Sequence, residues 1–240
     1  MKISGNKILI TGGASGIGLG LTERFVNEQN TVIICGRREN VLKEVSDRFP
    51  QVITKVCDLS NEADRVNLFD WIRTSHNDLN VLVNNAGIQN WMNISDNDFY
   101  ERTNDEVTTN ILAPLHLTSL FRSLPSLNTI INVTSGLAFV PLSKVAVYSA
   151  TKAFMRSFTL SLRHMLKDSK IEVIEMIPPA LNTDLGGKGI HDGQPSVSDF
   201  VVSIFKQLKE GKTELTFGTS EGRAQANNQV ITDYFNKMNP

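Results

Sequence analysis

Short apolar runs alternate with amphipathic stretches along most of this chain, and that rhythm leaves few folds open to it. Residues 7–11, 31–35, 52–56, 81–83, 129–133 and 173–177 are apolar-rich runs of strand length. After the first, second, third and fifth of these, apolar residues recur at helical spacing, over about 17–27, 39–49, 61–75 and 147–167. The fourth leads through a longer irregular stretch to a helix expected around 105–122. Strands separated by helices pair in parallel, and strands that are apolar throughout are covered on both faces. The expectation is an α/β fold, a doubly wound parallel sheet of about seven strands with helices on both faces. Beyond Ile177, glycines and prolines predict a loop, mobile around 184–195, before a helix at 196–210, an edge strand at 213–217 and a terminal helix at 225–238. No repeat or linker divides the chain, so one domain over 1–240 is expected.

Composition narrows the function classes. With 40% hydrophobic residues, 20% charged residues and a net charge of -1, the chain has material for a core and no global electrostatic footprint for nucleic acid or an anionic membrane. Cys35 and Cys57 are the only cysteines, too few for a disulfide framework or a cysteine-type zinc site, and no metal is expected. If their strands pair as neighbours the two thiols could meet, as free buried cysteines. No apolar stretch approaches the roughly 18 residues of a membrane span, and no leader pattern precedes the first strand, so a cytoplasmic protein is expected.

Two stretches carry chemistry. Thr11-Gly-Gly-Ala-Ser-Gly-Ile-Gly18 follows a strand and opens a helix, where backbone N–H groups and a helix N-terminus can meet a pyrophosphate. At the end of the second strand stand Gly36, Arg37 and Arg38 where a carboxylate would serve a ribose 2′-hydroxyl. Guanidinium groups suit a 2′-phosphate instead, which predicts NADP(H) preferred, with NAD(H) possible. The second stretch runs from Ser135 to Lys152. Tyr148 and Lys152 stand at i,i+4 on one helix face, and Ser135 lies at a strand end. A phenol near pKa 10 needs about 4 kcal/mol to titrate near neutrality, and a unit charge at ~4 Å in an effective dielectric of ~20 supplies about that much. Lys152 is therefore expected to lower the pKa of Tyr148.

Thr11 to Gly18, Asn84-Asn-Ala-Gly87 and Tyr148-x-x-x-Lys152 together resemble the short-chain dehydrogenase/reductase family in its single-domain, Rossmann-type form. The run from Pro178 to Gly187 and the approach to the tyrosine look most like its DltE-type branch. The resemblance implies Asn110, Ser135, Tyr148 and Lys152 as the catalytic set. It implies a cofactor bed of Gly12, Ser15, Gly16, Ile17, Gly18, Arg37, Arg38, Asp58, Leu59, Asn85, Ala86, Gly87, Tyr148, Lys152, Pro178 and Thr183. Both Asn84 and Asn85 are expected to tie strand-end backbones together. Pro179 stands where the family has glycine and predicts a stiffer loop. Pro114 lacks the N–H that would bond the Asn110 carbonyl, and the freed carbonyl can take part in a proton relay running from Tyr148 through a ribose hydroxyl, Lys152 and water.

The expected activity is hydride transfer between an alcohol and a carbonyl, with Tyr148 as general acid/base. The alternative is a nucleotide-binding regulator or scaffold without significant turnover. A small-molecule substrate is expected in a pocket bounded by 88–94, 137–141 and 184–195, made apolar by Trp91, Met92, Leu137, Phe139 and Leu185. His191 is expected to be a surface residue. The resemblance also implies a homodimer or homotetramer through the helices bearing Leu117, Leu120, Phe121, Phe154, Phe158 and Leu162.

Overall fold

A computed structural model describes residues 1–239. Seven parallel strands, β1 (Lys7–Thr11), β2 (Thr31–Gly36), β3 (Ile53–Val56), β4 (Val81–Asn84), β5 (Thr129–Val133), β6 (Glu172–Ile177) and β7 (Glu214–Thr216), form one sheet in the order 3-2-1-4-5-6-7. Side chains alternate across each strand, so Ile8 and Ile10 face one layer of helices while Leu9 faces the other. The first layer holds α1 (Gly16–Asn27), α2 (Glu39–Arg48) and α7 (Val197–Lys209), with Phe25 and Phe205 edge to face at 4.8 Å. The second holds α3 (Glu62–Ser75), α5 (Ala113–Phe121) and α6 (Ala146–Met165). The doubly wound α/β expectation is met.

Two helices begin elsewhere than the sequence suggested. The helix expected at 105 starts at Phe99 as α4 (Phe99–Val107), then passes through a π-helical turn at Thr108–Leu112 into α5. Asp96, Asp98 and Arg102 explain the earlier start: Arg102 bridges both carboxylates and anchors the first turn, a tertiary tie that apolar periodicity does not register. Just before Pro114, which lacks the N–H for the Asn110 carbonyl, the helix widens into a turn in which the Ala113 N–H bonds the Thr108 carbonyl. At the C-terminal end a short helix α8 (Thr219–Ala224) precedes α9 (Asn228–Met238), whose cap is Asn227 accepting from the Val230 N–H at 3.0 Å.

Strand order reverses between β1 and β4, both of which pair with their neighbours in parallel. The loops leaving their carboxyl ends therefore diverge to opposite faces and open a crevice between them.

Candidate active site

The crevice is a cleft of about 1090 Å³. Its outer part is built by the turn from β1 into α1. Gly12 takes φ 64°, a left-handed conformation, and a Cβ on Gly18 would stand 2.1 Å from the Gly12 carbonyl oxygen, so the turn closes only with glycine at these positions. Ser15 precedes α1 without a side-chain capping bond, and the first turn carries no acidic residue. The opening N–H groups of α1 thus face the cleft at the positive end of the helix dipole.

Arg37 and Arg38 are exposed on the cleft wall, neither paired with a carboxylate among the described residues, and Arg38 reaches the Ser15 hydroxyl at 3.5 Å. Asp58 and Leu59 line the wall beside them. Asp58 holds the next turn by accepting from the Ser60 N–H at 2.9 Å and hydroxyl at 2.7 Å; the helix cap is Asn61. Cys35 and Cys57 are both free and buried here, and the neighbouring Cys57 thiol and burial push the Cys35 pKa up. These donors, two free guanidinium groups and an uncapped helix start fit a phosphorylated dinucleotide. All the residues expected in the cofactor bed, from Gly12 to Thr183, line this one cleft.

Of the two asparagines ending β4, Asn85 does bridge strand backbones, donating to the Thr11 carbonyl at 2.8 Å. Asn84 does not. Its amide meets the side chains of Thr118 and Asn132 at 3.2 and 2.9 Å, because its side chain turns into the helical layer under the sheet. Thr11, which opens the glycine motif and had no role assigned to its side chain, completes the join by accepting from the Asn85 and Ala86 N–H groups at 2.9 and 3.0 Å. On the far side, Thr183 packs over Gly16, and Pro178 accepts from the Gly136 N–H at 2.9 Å; both still line the cleft despite Pro179.

At the inner end, α6 presents Tyr148 and Lys152, both buried. Lys152 donates to the Val133 carbonyl at 2.9 Å, and its Nζ is 5.5 Å from the centre of the Tyr148 ring. Ser135, two residues past the end of β5, accepts from the Leu137 N–H at 3.1 Å. Behind them Asn110 grips Ile88 with both ends of its amide, at 2.9 and 2.8 Å, and touches the Thr151 hydroxyl at 3.2 Å. Asn110 and Ser135 stand just outside the cleft wall; Tyr148 and Lys152 form part of it.

The electrostatics depart from expectation. Burial, together with the negative charge of Glu106, pushes the Tyr148 pKa above the usual phenol range, opposed by the Ser135 hydrogen bond. Burial lowers Lys152 to about 8. The expected lowering by Lys152 is outweighed by burial of the phenol, and the amine is turned to the Val133 carbonyl. Glu106, absent from the sequence-derived set, is fully buried on α4. Its position four residues before Asn110 places both on one helix face, a signal the sequence did contain.

The substrate end is also less apolar than expected. Met92 turns away to pack on Thr103 at 4.0 Å, while Gln89, Asn90 and Leu185 line the cleft. Trp91 is partly exposed, and its indole nitrogen approaches Gly186 across the gap to the loop after Thr183. His191 is half-buried rather than fully at the surface.

A family profile described as short chain dehydrogenase matches residues 6–192. An oxidoreductase of Bacillus subtilis (strain 168), named DltE and described as uncharacterized, is 42% identical over 255 aligned positions, covering 100% of this chain and 98% of its own. The NADP-dependent 3-hydroxy acid dehydrogenase YdfG of Salmonella typhi is 30% identical over 177 positions, 71% of each chain. Among solved structures, a short chain dehydrogenase from Burkholderia cenocepacia in complex with NADP superposes with a TM-score of 0.85 at 26% identity, covering 98% of this chain and 99% of its own.

Proposed function

The chain belongs to the short-chain dehydrogenase family, and on that premise we propose that it is an NADP(H)-dependent oxidoreductase interconverting an alcohol and a carbonyl compound, with Tyr148 as the general acid/base. One observation carries the reading. Tyr148, Lys152 and the neighbouring Ser135 hydroxyl meet at the inner end of a cleft whose outer end bears Arg37, Arg38 and the uncapped start of α1.

When bound, a nicotinamide dinucleotide supplies or accepts the hydride. Tyr148 donates a proton to the carbonyl oxygen in reduction and takes one from the alcohol in oxidation. Ser135 accepts from the Leu137 N–H through its oxygen, so its hydroxyl can turn from the phenol to orient the substrate oxygen when a substrate is bound. A phenol whose pKa is raised by burial stays protonated at neutral pH, which suits the reductive direction. Lys152, fixed on the Val133 carbonyl, keeps a positive charge behind the phenol below about pH 8. The Asn110 carbonyl has no i+4 donor because Pro114 has no N–H, and it offers the next acceptor on the path out.

Arg37 and Arg38 favour NADP(H) because a 2′-phosphate would meet two guanidinium groups and no carboxylate. The substrate is a carbonyl compound of mixed polarity, since Gln89, Asn90 and Leu185 all line the cleft. Leu112, Phe154, Leu160 and Met165 leave apolar surface exposed on or just before α5 and α6, which we assign to a homodimer contact. Leu117, Phe121 and Leu162 are core residues and take no part in it.

A panel of ketones, aldehydes and quinones with NADPH, and of 3-hydroxy acids with NADP, tests the activity. Turnover by the wild type and none by Tyr148→Phe is expected. No turnover with any compound, with NADP(H) still binding, would favour a regulatory role.

A further inference from the structure

We propose that Glu175 is a positioning residue for the reaction: its buried carboxylate joins the helix that carries Tyr148 to the chain that carries Ser135, and so sets the two hydroxyls against each other. This rests on the reading of Tyr148 as the acid/base.

Glu175 lies in β6 and is fully buried. Its Oε1 accepts from the Thr134 hydroxyl at 2.6 Å, and its Oε2 accepts from the Arg156 guanidinium. Thr134 lines the cleft between Val133, whose carbonyl holds Lys152, and Ser135. Arg156 lies on α6 one turn beyond Lys152 and two beyond Tyr148, so the three fall on one side of that helix. One carboxylate therefore grips the residue next to Ser135 with one oxygen and the helix of the reacting phenol with the other. The guanidinium carbon of Arg156 also stands 5.3 Å from the centre of the Phe139 ring, so the same pair braces the chain on both sides of Ser135.

Stability alone does not account for an acid here. The chain about Ser135 is already fastened to β6 by backbone bonds, from the Thr134 N–H to the Met176 carbonyl at 2.8 Å and from the Gly136 N–H to the Pro178 carbonyl at 2.9 Å. A buried ion pair returns little net stability, because the cost of desolvation offsets the attraction. What the carboxylate supplies is two acceptor oxygens for two donors, where an amide has one. Without it the Thr134 hydroxyl has a second acceptor, the Met176 carbonyl at 3.3 Å, and would turn to the strand, leaving α6 unjoined to the Ser135 chain at this point.

Thr134→Val removes the hydroxyl and keeps the volume, Thr134→Ser restores the hydroxyl, and Glu175→Gln keeps the shape with one acceptor oxygen fewer. With NADPH and a carbonyl substrate, Thr134→Val and Glu175→Gln should each lower kcat by about 10-fold, with NADPH affinity within about threefold of the wild type. Thr134→Ser should recover most of the loss, and the double variant should fall no further than the worse single one. Lowered melting temperatures with unchanged kcat, or losses that multiply in the double variant, overturn the proposal. Position can also be read without turnover. Tyr100, Tyr148 and Tyr234 are the only tyrosines, so ring-carbon NMR of ¹³C-tyrosine protein, assigned with Tyr148→Phe, isolates the Tyr148 signal. That signal should shift in Thr134→Val and return in Thr134→Ser; an unmoved signal overturns the proposal. Should Glu175→Gln not fold, the two Thr134 variants decide alone. Retained turnover in Tyr148→Phe would instead overturn the acid/base reading while leaving the NMR result to judge Glu175 separately.

Discussion

Asn110 holds both backbone groups of Ile88: the Ile88 N–H donates to Oδ1 at 2.9 Å and Nδ2 donates to the Ile88 carbonyl at 2.8 Å. The π-helical turn that carries Asn110 is thereby locked to the chain leaving β4, the same chain that lines the cleft through Asn85, Ala86 and Gly87. Asn110→Ala removes both bonds and leaves two buried backbone groups to find other partners. It should lower kcat by about 10–100-fold, with a smaller change in KM, because the substrate-facing contacts stay in place while the proton path loses its alignment. Steady-state kinetics checks the split.

Tyr148→Phe removes one oxygen from a buried ring and leaves its packing unchanged. Turnover should fall by at least about a thousandfold, and NADPH affinity, measured by fluorescence or calorimetry, should stay within about threefold.

Arg37→Ala takes away a guanidinium that has no carboxylate partner among the described residues. One charge-assisted hydrogen bond is worth about 1.5–3 kcal/mol, so NADPH affinity should fall by about 10–100-fold while NADH affinity hardly changes. The ratio of kcat/KM for the two cofactors measures this directly.

Gly18→Ala places a methyl group 2.1 Å from the Gly12 carbonyl oxygen, which is backbone and cannot step aside. The turn must open, and the expected result is loss of dinucleotide binding with a lowered melting temperature.

Glu106 links pH to stability with a definite sign. Its pKa is about 7 in the folded chain, against about 4.3 in an unfolded one. The folded state therefore binds more protons between those values, and stability falls as pH rises through that window. The cost of burying the charge reaches roughly 3–4 kcal/mol above pH 7. Comparing melting temperatures at pH 5 and pH 8, Glu106→Gln should gain on the wild type at the higher pH.

The sheet and most of its helices were legible because a strand or a helix leaves its period in a contiguous stretch. Lys7–Thr11 and Thr129–Val133 fall where their apolar runs place them, and Ser196 caps α7 as a serine at that position would. Where a tie between distant residues sets an element's end, as Arg102 does for α4, the periodicity gave no warning. The pairing of Tyr148 with Lys152 was legible for the same local reason, since the two share a helix face at i,i+4. The sequence by itself thus determined a doubly wound α/β sheet, a glycine turn ahead of a helix, and a tyrosine and lysine side by side. Only the tertiary structure decided what those groups experience. It turned Asn84 away from the strands, set the Lys152 amine on the Val133 carbonyl, and buried Glu106 against the Asn90 N–H. Spacing along a chain fixes which side chains share a face, whereas desolvation and charge act through space and depend on elements brought together from far apart in the sequence.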